Sequence, residues 1–316
     1  MKFNKPKFWD YKKKNLISYL LLPLTIPIII NNFLLKIKSK KKYENIKTIC
    51  VGNIYLGGTG KTPTSIKLKQ ILDELEINAV IGKKFYSSQL DEKILIEQKS
   101  KLLSGKKRSE IIKSAVINNY DCLIFDDGLQ DKSIKYDLEF VCFDIDKWIG
   151  NGNLIPSGPL REKISSLKKY DAVFLKKDGN QLEEIRDTIK KINPNIRIFN
   201  SQYKILNINK FDFSKNYLIV SGIGNPEGFK KTLLNNEFNI IDEIIFPDHY
   251  NYKKKDIDYI KQRAKNINAE IVTTEKDYVK IREFENKNIK SIEIDLDIEN
   301  KMDLINFLKL KLYEKY

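Results

Sequence analysis

Beyond residue 45 the chain repeats two patterns of polar and apolar positions. Ile46–Val51 (IKTICV), Asp121–Phe125 (DCLIF), Leu138–Ile145, Ala172–Leu175, Leu218–Ile223, Ile240–Phe246 and Glu270–Thr274 are short runs rich in apolar and β-branched residues. They predict strands, several of them apolar enough to be buried on both faces. Between them, Ser65–Leu75 places Ile66, Leu68, Ile71, Leu72 and Leu75 at helical spacing, and Gln181–Ile192 and Lys254–Asn266 show the same period. Strand and helix in alternation predict an α/β fold with largely parallel sheets. No repeat interrupts it, and the best hinge between domains is Gly-Asn-Gly-Asn at 150–153.

The first 45 residues differ. Asn15–Leu35 (NLISYLLLPLTIPIIINNFLL) runs 21 residues without a charge, after Lys12, Lys13 and Lys14 and before Lys36, Lys38, Lys40, Lys41 and Lys42. That is close to the length that spans a bilayer. Both flanks are basic, so the positive-inside rule chooses no orientation, and Pro23 and Pro27 interrupt a helix. No small-residue cleavage site follows, which argues against a signal peptide. The pattern fits best a monotopic anchor with its lysines on anionic head groups; a single span and a soluble core helix are the other readings. Trp9 and Tyr11 are expected at the interface.

Charge sharpens this picture. Lys and Arg number 57 against 42 Asp and Glu, a net +15. Residues 1–42 hold eleven Lys and one Asp, so +10 of the excess lies there and the remaining 274 residues carry only +5. A basic nucleic-acid-binding body is excluded, and an anionic membrane surface becomes the expected partner. Cys50, Cys122 and Cys142 stand singly in apolar runs, which excludes a disulfide framework or a CxxC site. A single histidine excludes a His-rich metal centre.

The predicted strand Ile46–Val51 feeds GNIYLGGTGKTP at 52–63, and a helix follows. Strand, glycine loop, Gly-Lys-Thr and helix are the context of a phosphate-binding loop. Glycines let backbone N–H groups turn towards phosphate oxygens, and the helix N-terminus favours negative charge. Tyr55, Leu56, Gly57, Gly58, Thr59, Gly60, Lys61 and Thr62 are the expected nucleotide contacts; Lys61 reaches the β/γ-phosphates and Thr62 a Mg²⁺. The strict pattern wants glycine at position 55, where this chain has tyrosine. DCLIF ends in Asp126-Asp127-Gly128-Leu129-Gln130, an apolar strand delivering carboxylates to a metal beside that loop. His249, in Phe246-Pro247-Asp248-His249-Tyr250, lies just past a predicted strand, where α/β active sites gather.

Together these motifs resemble the tetraacyldisaccharide 4'-kinase family of lipid A biosynthesis. The likeness runs through KFWDYKKKNLISYLLLPL at 7–24, GNIYLGGTGKTP, DDGLQ at 126–130, GNGNLIPSGPLRE at 150–162, GIGNPEGF at 222–229, FPDHY at 246–250 and TEKD at 274–277. It implies a P-loop-type α/β/α domain plus a second, smaller α/β/α domain, with a membrane-associated N-terminal helix and the active site in the cleft. The corresponding division is an anchor at 1–42, a nucleotide-binding domain at 43–150, a second domain at 151–298 and a helix at 299–316 packing back on the first domain. The implied reaction transfers the γ-phosphate of ATP, with Mg²⁺, to the 4'-hydroxyl of a tetraacyldisaccharide 1-phosphate at the cytoplasmic face of the inner membrane. Lipid disaccharide and anionic membrane are the implied partners, with no nucleic acid and no obligate protein partner.

The resemblance also implies roles. Asp91 is the catalytic base and His249 assists it; a carboxylate can take the proton of a weakly acidic hydroxyl, and an imidazole can orient that carboxylate. Glu92 joins Thr62, Asp126 and Asp127 as a candidate metal ligand, and Arg161, Glu162 and Gln130 are candidate substrate contacts. Arg161 is one of only six arginines in a lysine-rich chain, as a bidentate phosphate contact would favour. The chain departs from the family pattern at Lys83 and Lys84, which stand where an arginine segment is usual, at Leu90 in place of a glycine, and at Asp131 in place of a histidine. Two other classes remain open: a membrane-recruited P-loop ATPase switch, whose signature lysine is here Leu56, and a non-catalytic lipid-binding relative.

Overall fold

The computed structural model describes residues 5–37, 40–86, 89–176, 182–284 and 288–313. The chain forms two compact units and passes between them after residues 84, 99, 202 and 296.

The larger unit is built on an eight-stranded sheet. Its strands are β1 (Lys47–Gly52), β2 (Ala79–Lys84), β3 (Leu102–Gly105), β4 (Cys122–Asp126), β5 (Leu138–Asp144), β6 (Ala172–Lys176), β7 (Arg197–Ile205) and β12 (Ile294–Ile298), in the order β12-β7-β6-β5-β1-β4-β2-β3. The pairs from β7 through β3 are parallel. Even these apolar strands sort their side chains by period two. Ile49 and Val51 of β1 enter one core with Leu68, Ile71 and Leu72 of α3 (Lys61–Glu74) and with Leu304, Phe307 and Leu308 of α10 (Lys301–Leu312). Cys50 enters the opposite core with Ile111 and Ile112 of α5 (Arg108–Ile117) and Ile185 and Ile189 of α6 (Leu182–Ile192).

The smaller unit contains a parallel sheet of β8 (Asn216–Ser221), β9 (Asn239–Ile245), β10 (Glu270–Thr274) and β11 (Ile289–Ile292), in the order β11-β10-β8-β9. Leu218 and Val220 of β8 pack with Ile257 and Ile260 of α8 (Lys254–Asn266). Tyr217 and Ile219 pack with Leu233 of α7 (Pro226–Leu234) on the other side. Two more helices, α4 (Leu90–Lys99) and α9 (Glu275–Ile281), pack against each other in this unit.

The expected boundary at residue 150 is corrected. Residues 100–202 lie in the unit that holds the glycine loop, because β6 pairs with β5 and β7 with β6, extending one sheet. Residues 85–99, expected in the first domain, belong to the smaller unit. Gly-Asn-Gly-Asn is no hinge: Asn151 and Asn153 are buried, and the Asn151 amide donates to Ser18 Oγ and to the Ser157 carbonyl. Of the helix expected at 181–192, Gln181 lies outside the described residues, as does Lys38 of the second lysine cluster.

The uncharged N-terminal stretch belongs to the larger unit and forms α1 (Leu16–Leu21), a 3₁₀ turn at Leu22–Thr25 containing Pro23, and α2 (Ile26–Ile37). Its burial is inverted. Leu16, Leu20, Leu24 and Phe33 are exposed by 75%, 69%, 59% and 61%, whereas Ser18 and Thr25 are buried. Trp9 does not sit at a surface as expected; it is fully buried, and its indole N–H donates to the Pro156 carbonyl at 2.9 Å.

Helix α10 closes one core through Phe307, whose ring lies 6.1 Å from Phe140 and 5.7 Å from Phe199. Phe307→Ala is therefore expected to lower stability by about 3–5 kcal/mol, read from denaturant unfolding followed by circular dichroism.

Candidate active site

In the larger unit, β1 ends at Gly52 and α3 begins at Lys61, with the glycine loop between. Gly60 holds φ +85° as the residue before α3, a left-handed conformation that glycine takes without steric cost. The loop is braced internally, since the Asn53 amide donates to the Gly57 carbonyl at 3.1 Å. Outside, Leu56 N–H donates to the Pro159 carbonyl at 2.8 Å. Tyr55 is buried, with its hydroxyl held by Lys5 and Asp10. Neither the Tyr55 side chain nor the Leu56 N–H is turned to a ligand. Thr59 is 3% exposed and its hydroxyl has no hydrogen-bond partner among the described residues. A buried polar atom left unpaired is costly, and a phosphate oxygen is the natural acceptor at this position.

The adjacent strand β4 delivers Asp126 and Asp127. Asp126 is 2% exposed; it accepts from Thr62 Oγ1 at 3.0 Å and Ser65 Oγ at 3.3 Å, and it is ion-paired with Lys83. Asp127 holds φ +60° and meets Arg161 Nη1 at 3.1 Å and Lys61 Nζ at 3.9 Å. Burial pushes the Asp127 carboxyl up, but Lys61, Arg161 and Lys83 outweigh it and hold it below the usual carboxylate range. Among the described residues no three His, Cys, Asp or Glu side chains form a metal cage. Mg²⁺ takes one or two protein oxygens and completes its shell with phosphate and water. The Thr62 hydroxyl and the two carboxylates are the oxygens available here.

Gln130 and Glu162 have other partners. The Gln130 amide donates to the Asn53 carbonyl at 2.9 Å, and its oxygen accepts from Arg161. Glu162 is buried against Lys132, Lys169 and Tyr170. Burial raises its carboxyl, but Lys132 and Lys169 draw it below the usual range. Its carboxylate is taken up within the unit, so it supports the Arg161 segment. No sequence signal marked Arg108, which is buried, pairs with Asp131 at 2.7 Å and donates to the Asp127 carbonyl. It thereby braces the strained residue from behind.

The smaller unit holds a second constellation. Asp91 lies in the first turn of α4 and is 4% exposed. His249 follows β9 with φ +57°, fixed by its N–H donating to the Gly222 carbonyl and to Asp248 Oδ1. Its Nδ1 lies 2.9 and 3.0 Å from the two Asp91 oxygens. Helix α9, capped by Thr274 accepting from the Asp277 N–H, adds Lys276 and Lys280, one turn apart. Lys280 Nζ lies 3.3 Å from Asp91 Oδ2 and Lys276 Nζ 3.9 Å. Lys276 also meets Glu92 at 3.2 Å and Asp248 at 3.0 Å. Burial would raise the Asp91 carboxyl, but the His249 hydrogen bond, Lys276 and Lys280 bring it down to about 2. Glu92 therefore pairs with a lysine and lies 3.7 Å from His249 Nε2. The TEKD motif at 274–277 contains Lys276 without showing what it does, and Lys280, three residues beyond it, carried no sequence signal.

The tetraacyldisaccharide-1-P 4'-kinase family matches residues 20–313. A tetraacyldisaccharide 4'-kinase of Pelagibacter ubique is 50% identical over 317 residues, covering 100% of both chains. One of Rickettsia canadensis is 35% identical over 331 residues, covering 98% of this chain and 97% of the relative. Among solved structures, an "apo" form of LpxK from Aquifex aeolicus in complex with ATP superposes with TM-score 0.69 at 20% identity, covering 94% of this chain and 100% of that one. With the family matched from α1 to α10 and half of all residues shared with a full-length relative, the chain belongs to the tetraacyldisaccharide-1-P 4'-kinase family.

Proposed function

We propose that this kinase transfers the γ-phosphate of ATP, with Mg²⁺, to the 4'-hydroxyl of tetraacyldisaccharide 1-phosphate in lipid A biosynthesis, at the cytoplasmic face of the inner membrane. The observation that carries the reading is the glycine loop, where a Thr59 hydroxyl without a partner among the described residues, Lys61 and a carboxylate pair bound by Thr62 and Arg161 converge. That set answers the needs of phosphoryl transfer, which asks the protein for positioning and charge neutralisation more than for covalent chemistry.

The N–H groups of residues 57–62 and the Lys61 ammonium hold the β- and γ-phosphates. Thr62, Asp126 and Asp127 would hold Mg²⁺, which when bound would neutralise charge on the phosphate oxygens. Arg161 exchanges its contact with Asp127 for phosphate oxygen, a switch its fork geometry favours. At the acceptor, the 4'-oxygen forms a bond to phosphorus as the bond to the ADP oxygen breaks, and the hydroxyl proton passes to Asp91. His249 fixes the orientation of that carboxylate, and Lys276 and Lys280 keep it ionised. A carboxyl at about 2 is a weak base, which suffices if the proton leaves late, as in a loose transition state.

The inverted N-terminal stretch supplies the membrane contact. Leu20, Leu24 and Phe33 present apolar surface outward, and Lys12, Lys13 and Lys14 precede them in sequence. Such a surface, rimmed by cations, suits an anionic bilayer.

Labelled ATP, Mg²⁺ and tetraacyldisaccharide 1-phosphate in detergent micelles test the reaction. Label is expected in the lipid, abolished by Lys61→Ala and reduced about 10²- to 10⁴-fold by Asp91→Ala. ATP hydrolysis on bare vesicles without lipid labelling would instead favour an ATPase switch. The pH profile is a separate check. Because Asp91 is held near 2, wild-type kcat/KM for the acceptor should show no acid limb from this group above about pH 4. Lys276→Met removes one cation and should move the limb upward by about one unit. Replacing Leu20, Leu24 and Phe33 together by serine should reduce partition into anionic vesicles while leaving the unfolding midpoint unchanged.

A further inference from the structure

The phosphate loop is unusual in having tyrosine where the strict pattern has its first glycine, and the tyrosine points into the N-terminal segment. Lys5 Nζ lies 2.7 Å from the Tyr55 hydroxyl, which donates to Asp10 Oδ1. Lys5 closes the triangle onto Asp10 Oδ2 at 2.6 Å, and Lys147 approaches the same carboxylate at 3.7 Å. The phenol thus bonds to a charged group in a partly buried place, where a hydrogen bond contributes more than at a surface.

The loop's first limb is also clamped from its other side. Tyr55 bridges Leu160 antiparallel, Leu56 N–H donates to the Pro159 carbonyl, and Arg161 N–H donates to the Ile54 carbonyl. That partner segment in turn rests on the N-terminal segment. Trp9 donates to the Pro156 carbonyl, and its own carbonyl accepts from Asn151 N–H at 3.0 Å. Gly150, at φ +56°, is where a Cβ would come within 2.1 Å of that carbonyl. Ser157 Oγ donates to the Ser18 carbonyl at 2.7 Å, and the Asn32 amide donates to the Arg161 carbonyl at 3.0 Å. Ile28 packs on the cluster of Tyr55, Leu154 and Leu160.

We infer that the N-terminal segment is a positioning element of the nucleotide site, acting through the Tyr55–Asp10 hydrogen bond. This rests on the kinase reading of the glycine loop and adds a role to a segment otherwise explained as an anchor. Asp10 and Tyr55 are positioning residues: the phenol pins residue 55, and the glycines that follow present their N–H groups from that fixed point. Membrane attachment and nucleotide affinity are then separable properties of one segment, the first carried by its outward leucines and the second by its inward polar groups.

The test uses the full chain in detergent micelles, titrated with Mg-ATP by calorimetry and assayed for label transfer, with Tyr55→Phe, Asp10→Asn and the double variant. Each single variant is expected to weaken ATP binding about five- to tenfold, the loss of a hydrogen bond to a charged group. The double variant should be no worse than either single one, while KM for the lipid, partition into anionic vesicles and the unfolding midpoint stay at wild-type values. A purely structural role would move the midpoint and both KM values together. ATP affinity within twofold of wild type, losses that add in the double variant, or losses that follow vesicle partition would each overturn the inference. Wild type that binds and transfers while the variants match it defeats this inference alone. Wild type that binds no ATP defeats the kinase reading, and this inference with it.

Discussion

A carboxylate 2% exposed to solvent must be compensated on every side, and Asp126 imposes that demand on the larger unit. Taking a charge out of water costs several kcal/mol unless the groups around it replace the lost hydration. Here Lys83 comes from the end of β2, and Thr62 and Ser65 come from the start of α3. Satisfying one charge therefore fixes three elements at once. The parallel sheet makes this possible, because β1, β2 and β4 are adjacent and all end on the same edge. Asp127, one residue later, is paired with Lys61 and Arg161, cations whose contacts a phosphate can take over.

The smaller unit solves a related problem differently. Asp91 is also buried, yet its compensation comes from a ring nitrogen and two ammonium groups on α9. Hydrogen bonding and two positive charges outweigh burial, so the group stays a carboxylate rather than becoming a neutral acid. The left-handed backbone at His249 is part of this arrangement, since it turns the imidazole back toward α4. Backbone strain of this kind persists where surrounding bonds over-determine it, and the Gly222 and Asp248 contacts do so here.

Much of this was legible in the sequence because the signals are local. The strands and helices follow from periodicity, and Gly-Gly-Thr-Gly-Lys-Thr after an apolar strand predicts the loop at Lys61 and Thr62. The unit boundary was not legible: residues 85–99 join the smaller unit through packing of α4 on α9, where Asp91 meets Lys280 across 189 residues of sequence that no local pattern encodes. Trp9 misled for a similar reason. An aromatic beside lysines and an apolar run has the composition of an interfacial residue, but its pocket is made by residues near 150 and 156. Arg108 carried no mark at all, since its partner Asp131 lies beyond an intervening strand and its work is to hold a backbone carbonyl. Uncharged composition flagged the N-terminal stretch, but which of its faces turns outward depends on where Asn151, Ser157 and Arg161 fall in the folded unit.

His249 is the one histidine among 316 residues. Imidazole signals ordinarily overlap and must be assigned by mutation, but here every ring-proton resonance, every imidazole-selective chemical label and every isotope-edited titration belongs to the group that touches Asp91. The chain thus carries its own site-specific reporter of the Asp91 cluster, readable in micelles or membranes without altering a single residue.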